Sequence, residues 1–186
     1  MSDDKSKEAI ALNRVPLFHS LEYSDLMGLL FFVNSKNIQK DHNLFNKGDQ
    51  PDGLYILMAG KLRVYIPPSQ LTGPTKNLAE LSPGAYVGEF GLIDSQPRSA
   101  SVVAIQDSHV LFLPTDAFLN ILNERPQFAK SVTNALCEMV MNQKGLKINS
   151  AHGSKLIAEK KVKPTLDNLA KLSEILREHN KNQSTR

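Results

Sequence analysis

The apolar positions of this chain follow two different periods. From Lys7 to Val33 they fall at helical spacing: Ile10, Leu12, Val15 and Leu17 first, then, after a start at Ser20 or Ser24, Leu26, Leu29 and Leu30. From Ile38 to Pro114 the period shortens. The runs LYILMAG, KLRVYIP, SASVVAI and HVLFLP are rich in β-branched and aromatic residues. Turn signals separate the strand runs at Asn46-Lys47-Gly48-Asp49, Pro51-Asp52-Gly53, Ala59-Gly60 and Ser82-Pro83-Gly84. Short strands at regular intervals, with no helical pattern between most of them, predict an antiparallel sandwich, barrel or roll.

Helical spacing returns after Pro114. Thr115 is placed to cap a short helix through Phe118, Leu119, Ile121 and Leu122, and Pro126 opens a longer one. The longer helix carries Phe128, Val132, Ala135, Met139 and Leu146 in a near-heptad stripe that Gln143 interrupts. Such a stripe suits either a partner helix, including the same helix of a second subunit, or the side of the β domain. Residues 149–163 are polar and basic and read as a linker. Pro164 to Glu178 predicts a last amphipathic helix with Leu166, Leu169, Leu172, Ile175 and Leu176 on one side.

Length changes this picture little: 186 residues hold one ordinary domain and an appendage. A hydrophobic fraction of 41% is that of a globular chain. The single cysteine, Cys137, has no partner for an internal disulfide or a metal knuckle, which suits a reducing compartment. The opening MSDDKSKEAIALNR lacks the apolar core of a signal peptide, and the run Leu26 to Val33 is too short to span a bilayer, so a cytoplasmic location is expected. Charge is uneven. Residues 1–143 carry 12 Lys and Arg against 15 Asp and Glu, whereas residues 144–186 carry 10 against 4. A basic tail of this kind is either a solvated helix face or a contact surface for an acidic partner.

The candidate chemistry lies in GEFGLIDSQPRSA, residues 88 to 100. Glu89 and Arg98 stand in an apolar, glycine-containing stretch where an unpaired charge is costly. A small anion carrying a sugar would account for them. Gly88 lets the backbone approach closely, and Gly91 keeps the turn uncluttered. Arg98 can fork onto a phosphate oxygen. Glu89 would repel phosphate but suits a sugar hydroxyl, as an acidic residue does in dinucleotide folds. Pro97 sets the direction of the chain entering Arg98, and Ser99 adds a hydroxyl. The other reading of the same residues is an internal Glu89–Arg98 salt bridge.

The stretch resembles the phosphate-binding cassette of the cyclic nucleotide-binding domain family: Gly-Glu-apolar-small-Leu, a few variable residues, then Pro-Arg-small-Ala. VPLF (Val15 to Phe18), GDQPDGLYILMAGKLRVY (Gly48 to Tyr65) and LSPGAYVGE (Leu81 to Glu89) match family landmarks in order. The resemblance covers about residue 10 to residue 148. It implies a mainly β fold with added α: an antiparallel, jelly-roll-like β-roll of about eight strands, N-terminal helices, a short cassette helix, and B and C helices after the roll. The expected divisions are a flexible 1–9, a binding domain over 10–148 (roll 36–114, helices 115–148), a basic linker over 149–163, and a helix and tail over 164–186.

By the same resemblance, Glu89 holds the ribose 2′-hydroxyl and Arg98 the cyclic phosphate. Ser99 and the amides of Phe90, Gly91 and Ala100 assist, Gly88 permits the approach, and Asn142 or Gln143 contacts the base. The implied ligand is cyclic AMP, with cyclic GMP the alternative, since Ser99 does not decide between them. The implied role is a regulatory sensor signalling to a protein partner or its own dimer through the C-terminal helices, with no cofactor. The insert Pro67 to Asn77 and the absence of an aromatic near 139–148 depart from the family pattern.

Three other classes fit less well. Only 38 residues follow Ile148, short of a braced helix-turn-helix, so sequence-specific DNA binding is disfavoured. The five histidines are scattered singly, and no set of nucleophile, base and orienting group is present, which argues against a metal site and against an enzyme. A ligand-free β-roll kept as a scaffold for dimerisation is the remaining alternative.

Overall fold

The computed structural model describes residues 2–132, apart from 20 and 71–72. The N-terminal part is α1 (Ser2–Asn13), a 3-10 turn (Pro16–Phe18) and α2 (Tyr23–Leu29). Eight strands follow: β1 (Asn34–Ile38), β2 (Asn43–Phe45), β3 (Gly53–Ala59), β4 (Leu62–Ile66), β5 (Lys76–Leu81), β6 (Tyr86–Val87), β7 (Ser101–Ala104) and β8 (Ser108–Pro114). The short α3 (Glu89–Asp94) lies between β6 and β7, and α4 (Thr115–Glu124) follows β8. A further helical run covers 126–132. All the strand pairs are antiparallel, in two four-stranded sheets of order β1-β8-β3-β6 and β2-β7-β4-β5. This is the expected mainly β roll with flanking helices.

The packing of β3 explains its unbroken apolar sequence. Successive side chains of a strand point to opposite faces, and both faces of β3 are covered. Leu54 and Ile56 join Leu111 and Leu113 of β8 in a core shared with α1, α2, α3 and α4. Tyr55 and Leu57 turn the other way, toward Phe45, Leu62, Val102 and Val110, in a second core between the two sheets. In the helical core, Phe128 stacks on Phe18 with ring centroids 5.6 Å apart and meets Phe118 edge-on at 5.5 Å. Phe128 and Val132 are both fully buried there, so the start of the stripe after Pro126 packs against the domain itself.

One expectation is corrected and one boundary moves. Helix α1 begins at Ser2, upstream of the helical spacing read from Lys7, and Ala9 and Leu12 are fully buried. Once that turn is held by packing, each residue added upstream gains a hydrogen bond without a new nucleation cost. Thr115 is not the cap of α4. Pro114 holds that position, and the buried Thr115 hydroxyl has no hydrogen-bond partner. Proline, already fixed in φ, makes the extended entry into the helix. Residues 133–186 lie outside the described part of the chain. With them lie Asn142 and Gln143, the rest of the near-heptad stripe, the linker over 149–163 and the stretch Pro164 to Glu178.

Candidate functional site

The end of β6 hands the chain to α3 through Gly88, whose φ of +107° is in the left-handed region that glycine tolerates. A Cβ at Gly88 would stand 2.5 Å from Nη1 of Arg98 and 2.9 Å from the carbonyl oxygen of Gly53. The position therefore needs glycine twice over, for its dihedral and for room. Gly91, inside α3, is buried with Pro51 against it, where a Cβ would come within 2.7 Å.

Arg98 returns beside this turn because its backbone is paired with the loop before β3. Its N–H donates to the Asp49 carbonyl (2.8 Å), and its carbonyl accepts from the Gly48 N–H (2.9 Å). The side chain then runs inward until only 2% of it is exposed. Nη1 donates to the Gly88 carbonyl at 2.8 Å, and Nη2 donates to the Gly53 carbonyl at 2.7 Å and to Oδ1 of Asp52 at 2.6 Å. The guanidinium carbon lies 4.3 Å from the centre of the Phe45 ring, a cation–π distance. Nε has no hydrogen-bond partner although it is buried. A buried guanidinium N–H left unmade is costly, and among the described residues Nε of Arg98 and the Thr115 hydroxyl are the buried side-chain atoms in that state.

The carboxylate that neutralises Arg98 thus comes from Asp52, 46 residues earlier in the chain. Asp52 is shared: its Oδ2 accepts from the Tyr55 hydroxyl at 2.7 Å. Burial first, then the hydrogen bond and charge of Asp52, push ionisation of the Tyr55 phenol well above its ordinary range, with Arg98 opposing. The phenol is a neutral donor at every pH near neutrality.

Of the residues singled out in the sequence, Gly88, Glu89, Gly91, Arg98 and Ala100 are buried at this corner of the roll, Glu89 being only 5% exposed. Phe90 lies in α3, and Ser99 is exposed. Three contributors were not foreseen as site residues: Asp52, Tyr55 and Phe45. The signal for two of them was present in GDQPDGLYILMAGKLRVY, where a charged residue directly precedes a buried strand, but that pattern does not say which cation it meets. The described residues contain no group of His, Cys, Asp or Glu that could hold a metal ion. No described helix is long and apolar enough to cross a membrane.

Comparison with known proteins places this corner within a known domain. Residues 35–125 match the family model for the cyclic nucleotide-binding domain. The cyclic AMP receptor protein of Thermus thermophilus is 31% identical over 121 residues, 65% of this chain and 55% of that relative. The chain therefore spans about half the length of that relative. Among solved structures, the N-terminal domain of a transcriptional regulator from Streptomyces coelicolor is 27% identical, with a TM-score of 0.60, covering 75% of this chain and 96% of that one. The cyclic AMP-bound PfPKA-R (141–441) shares the fold at 22% identity, with a TM-score of 0.64, covering 84% of this chain and 54% of that one.

Proposed function

From the premise that residues 35–125 belong to the cyclic nucleotide-binding domain family, we propose that the protein is a cyclic-nucleotide sensor whose ligand is cyclic AMP. The observation that carries this reading is Arg98. A nearly fully buried guanidinium is held by two carbonyls and one carboxylate, yet its Nε–H points at no acceptor. An incoming phosphate oxygen supplies the missing acceptor as a charge-assisted bond. Glu89 takes the ribose 2′-hydroxyl. Ser99 and the amides of Phe90, Gly91 and Ala100 complete the cradle, and Gly88 gives it room. Asn142 or Gln143 contacts the base. The protein binds and does no chemistry.

Signalling runs through packing. Leu92 on the inner side of α3 belongs to the same core as Phe118, Leu122 and Phe128, so a shift of α3 is felt by the helices after the roll. In the proposed mechanism Leu92 and Ile93 transmit that shift, and the C-terminal helices close on the base and present the basic tail to a partner or a second subunit in the cytoplasm. A ligand can move that equilibrium only by its difference in affinity for the open and closed forms.

Isothermal titration with cyclic AMP and cyclic GMP tests the reading. Arg98→Ala should weaken binding by about 2–5 kcal/mol, because the ligand phosphate loses its charged partner. Glu89→Ala should cost less, about 1–3 kcal/mol, and should make little difference for a 2′-deoxy analogue. Equal binding by Arg98→Ala and the parent would refute the assignment. One observation favours the scaffold alternative: the chain's own Asp52 neutralises Arg98. In that case neither nucleotide would produce heat with the parent protein.

A further inference from the structure

Tyr55 has no place in the cradle just described, yet it is tied to it. Its ring is fixed on two sides, with the Phe45 centroid at 5.7 Å and the Phe112 centroid at 4.9 Å. Its hydroxyl reaches out of the inner core to Oδ2 of Asp52, whose other oxygen holds Nη2 of Arg98. Asp52 is the soft member of this chain of contacts. Its side chain is 52% exposed, against 2% for Arg98. A half-exposed carboxylate held by one partner gains hydration and rotamer freedom by swinging into water. Held at both oxygens, between a rigid phenol and a buried cation, it has one orientation.

We propose that Tyr55 is a positioning residue of the anion socket, acting through Asp52 to hold the plane of the Arg98 guanidinium so that its free Nε–H faces the ligand. The proposal rests on the reading of Arg98 as the phosphate contact. Two carbonyls, of Gly88 and Gly53, fix the distal nitrogens. The Asp52 carboxylate adds a second acceptor at Nη2, and together with the Phe45 ring over the guanidinium face it holds the plane. The phenol suits this task because burial and the neighbouring carboxylate keep its proton in place. A purely structural tyrosine would need only some acceptor for its buried hydroxyl. The two roles differ in what they predict for ligand affinity.

The test is a double-mutant cycle on the full chain, using Tyr55→Phe, Asp52→Ala and the pair, with cyclic AMP titrated calorimetrically and the melting temperature of each ligand-free variant recorded. Phenylalanine keeps the ring contacts with Phe45 and Phe112. Tyr55→Phe should raise the dissociation constant about three- to tenfold, part of the effect of losing a hydrogen bond to a charged group. In the Asp52→Ala background the same substitution should leave the constant unchanged. If the parent binds and Tyr55→Phe binds as well or better, or if the two effects simply multiply, the proposal fails while the reading of Arg98 stands. If the parent gives no heat with cyclic AMP or cyclic GMP, that reading falls first. Should Tyr55→Phe not fold, Asp52→Ala tests the carboxylate it acts through: binding as tight as the parent's overturns the proposal, and weaker binding supports it.

Discussion

Arg98 carries a permanent charge into the interior, and its immediate surroundings make that tolerable. Two backbone carbonyls, a carboxylate and an aromatic face surround it. Gly88 is the residue with least freedom to vary. Gly88→Ala would force a Cβ onto Nη1 of Arg98 and strain a left-handed dihedral. Urea unfolding should show a loss of about 1–3 kcal/mol, and nucleotide affinity should fall with it. A loss of stability with affinity untouched would separate the glycine from the socket.

Tyr55 supports a second prediction at this scale. Its ionisation in the folded protein is raised above the ordinary phenol value of about 10. Below that pH both folded and unfolded states keep the proton. Above it the unfolded chain releases the proton first, so stability falls as pH rises. Ultraviolet titration of the folded protein should show a phenolate component appearing well above pH 10, absent from Tyr55→Phe. The alkaline loss of stability should be shallower in that variant. A phenolate signal unchanged by the substitution would contradict the burial and the Asp52 contact.

At the scale of elements, β3 links the site to the core. Its Leu54 and Ile56 belong to the helical core, whereas Tyr55 and Leu57 belong to the core between the sheets. Gly53, at its first position, offers its carbonyl to Arg98. The helical core is closed by three aromatic rings, Phe18, Phe118 and Phe128. Phe128 comes from the run over 126–132, after the last strand, and Phe18 from the 3-10 turn before the first. Phe128→Ala should therefore cost about 3–5 kcal/mol, the range for removing a buried aromatic, read by urea denaturation. A cost near zero would show that the stack forms no part of the stable core.

For the whole molecule, the clearest prediction concerns linkage. A ligand that binds only the folded state at about a hundred times its dissociation constant adds about 2.7 kcal/mol. Cyclic AMP should raise the melting temperature accordingly, and Arg98→Ala should cut the rise to about a third or less at the same concentration. An unmoved melting curve with both cyclic nucleotides would favour a β-roll kept as a scaffold. Arg98 touches Gly53 of one sheet and the Phe45 ring of the other, so a ligand there would stabilise the domain as a unit.

Local pattern carried much of this protein's description. Turn residues and strand-length apolar runs announce an antiparallel sandwich, barrel or roll, which the family resemblance narrows to a β-roll of about eight strands; helical spacing marks α2 and α4, and GEFGLIDSQPRSA marks the corner where Glu89 and Arg98 are buried. These features are legible because period and turn chemistry act between residues close in the chain. The start of α1 and the cap of α4 were misread for a related reason. Packing of Ala9 and Leu12 extends one helix, and Pro114 displaces Thr115 at the other. The partner of Arg98 could not be read at all. Asp52 and Tyr55 meet it across 46 and 43 residues of intervening sequence order. Which carboxylate neutralises a buried cation is settled by the folding of β3 against the cassette. Electrostatic pairing depends on distance in space, and only the closed roll sets that distance.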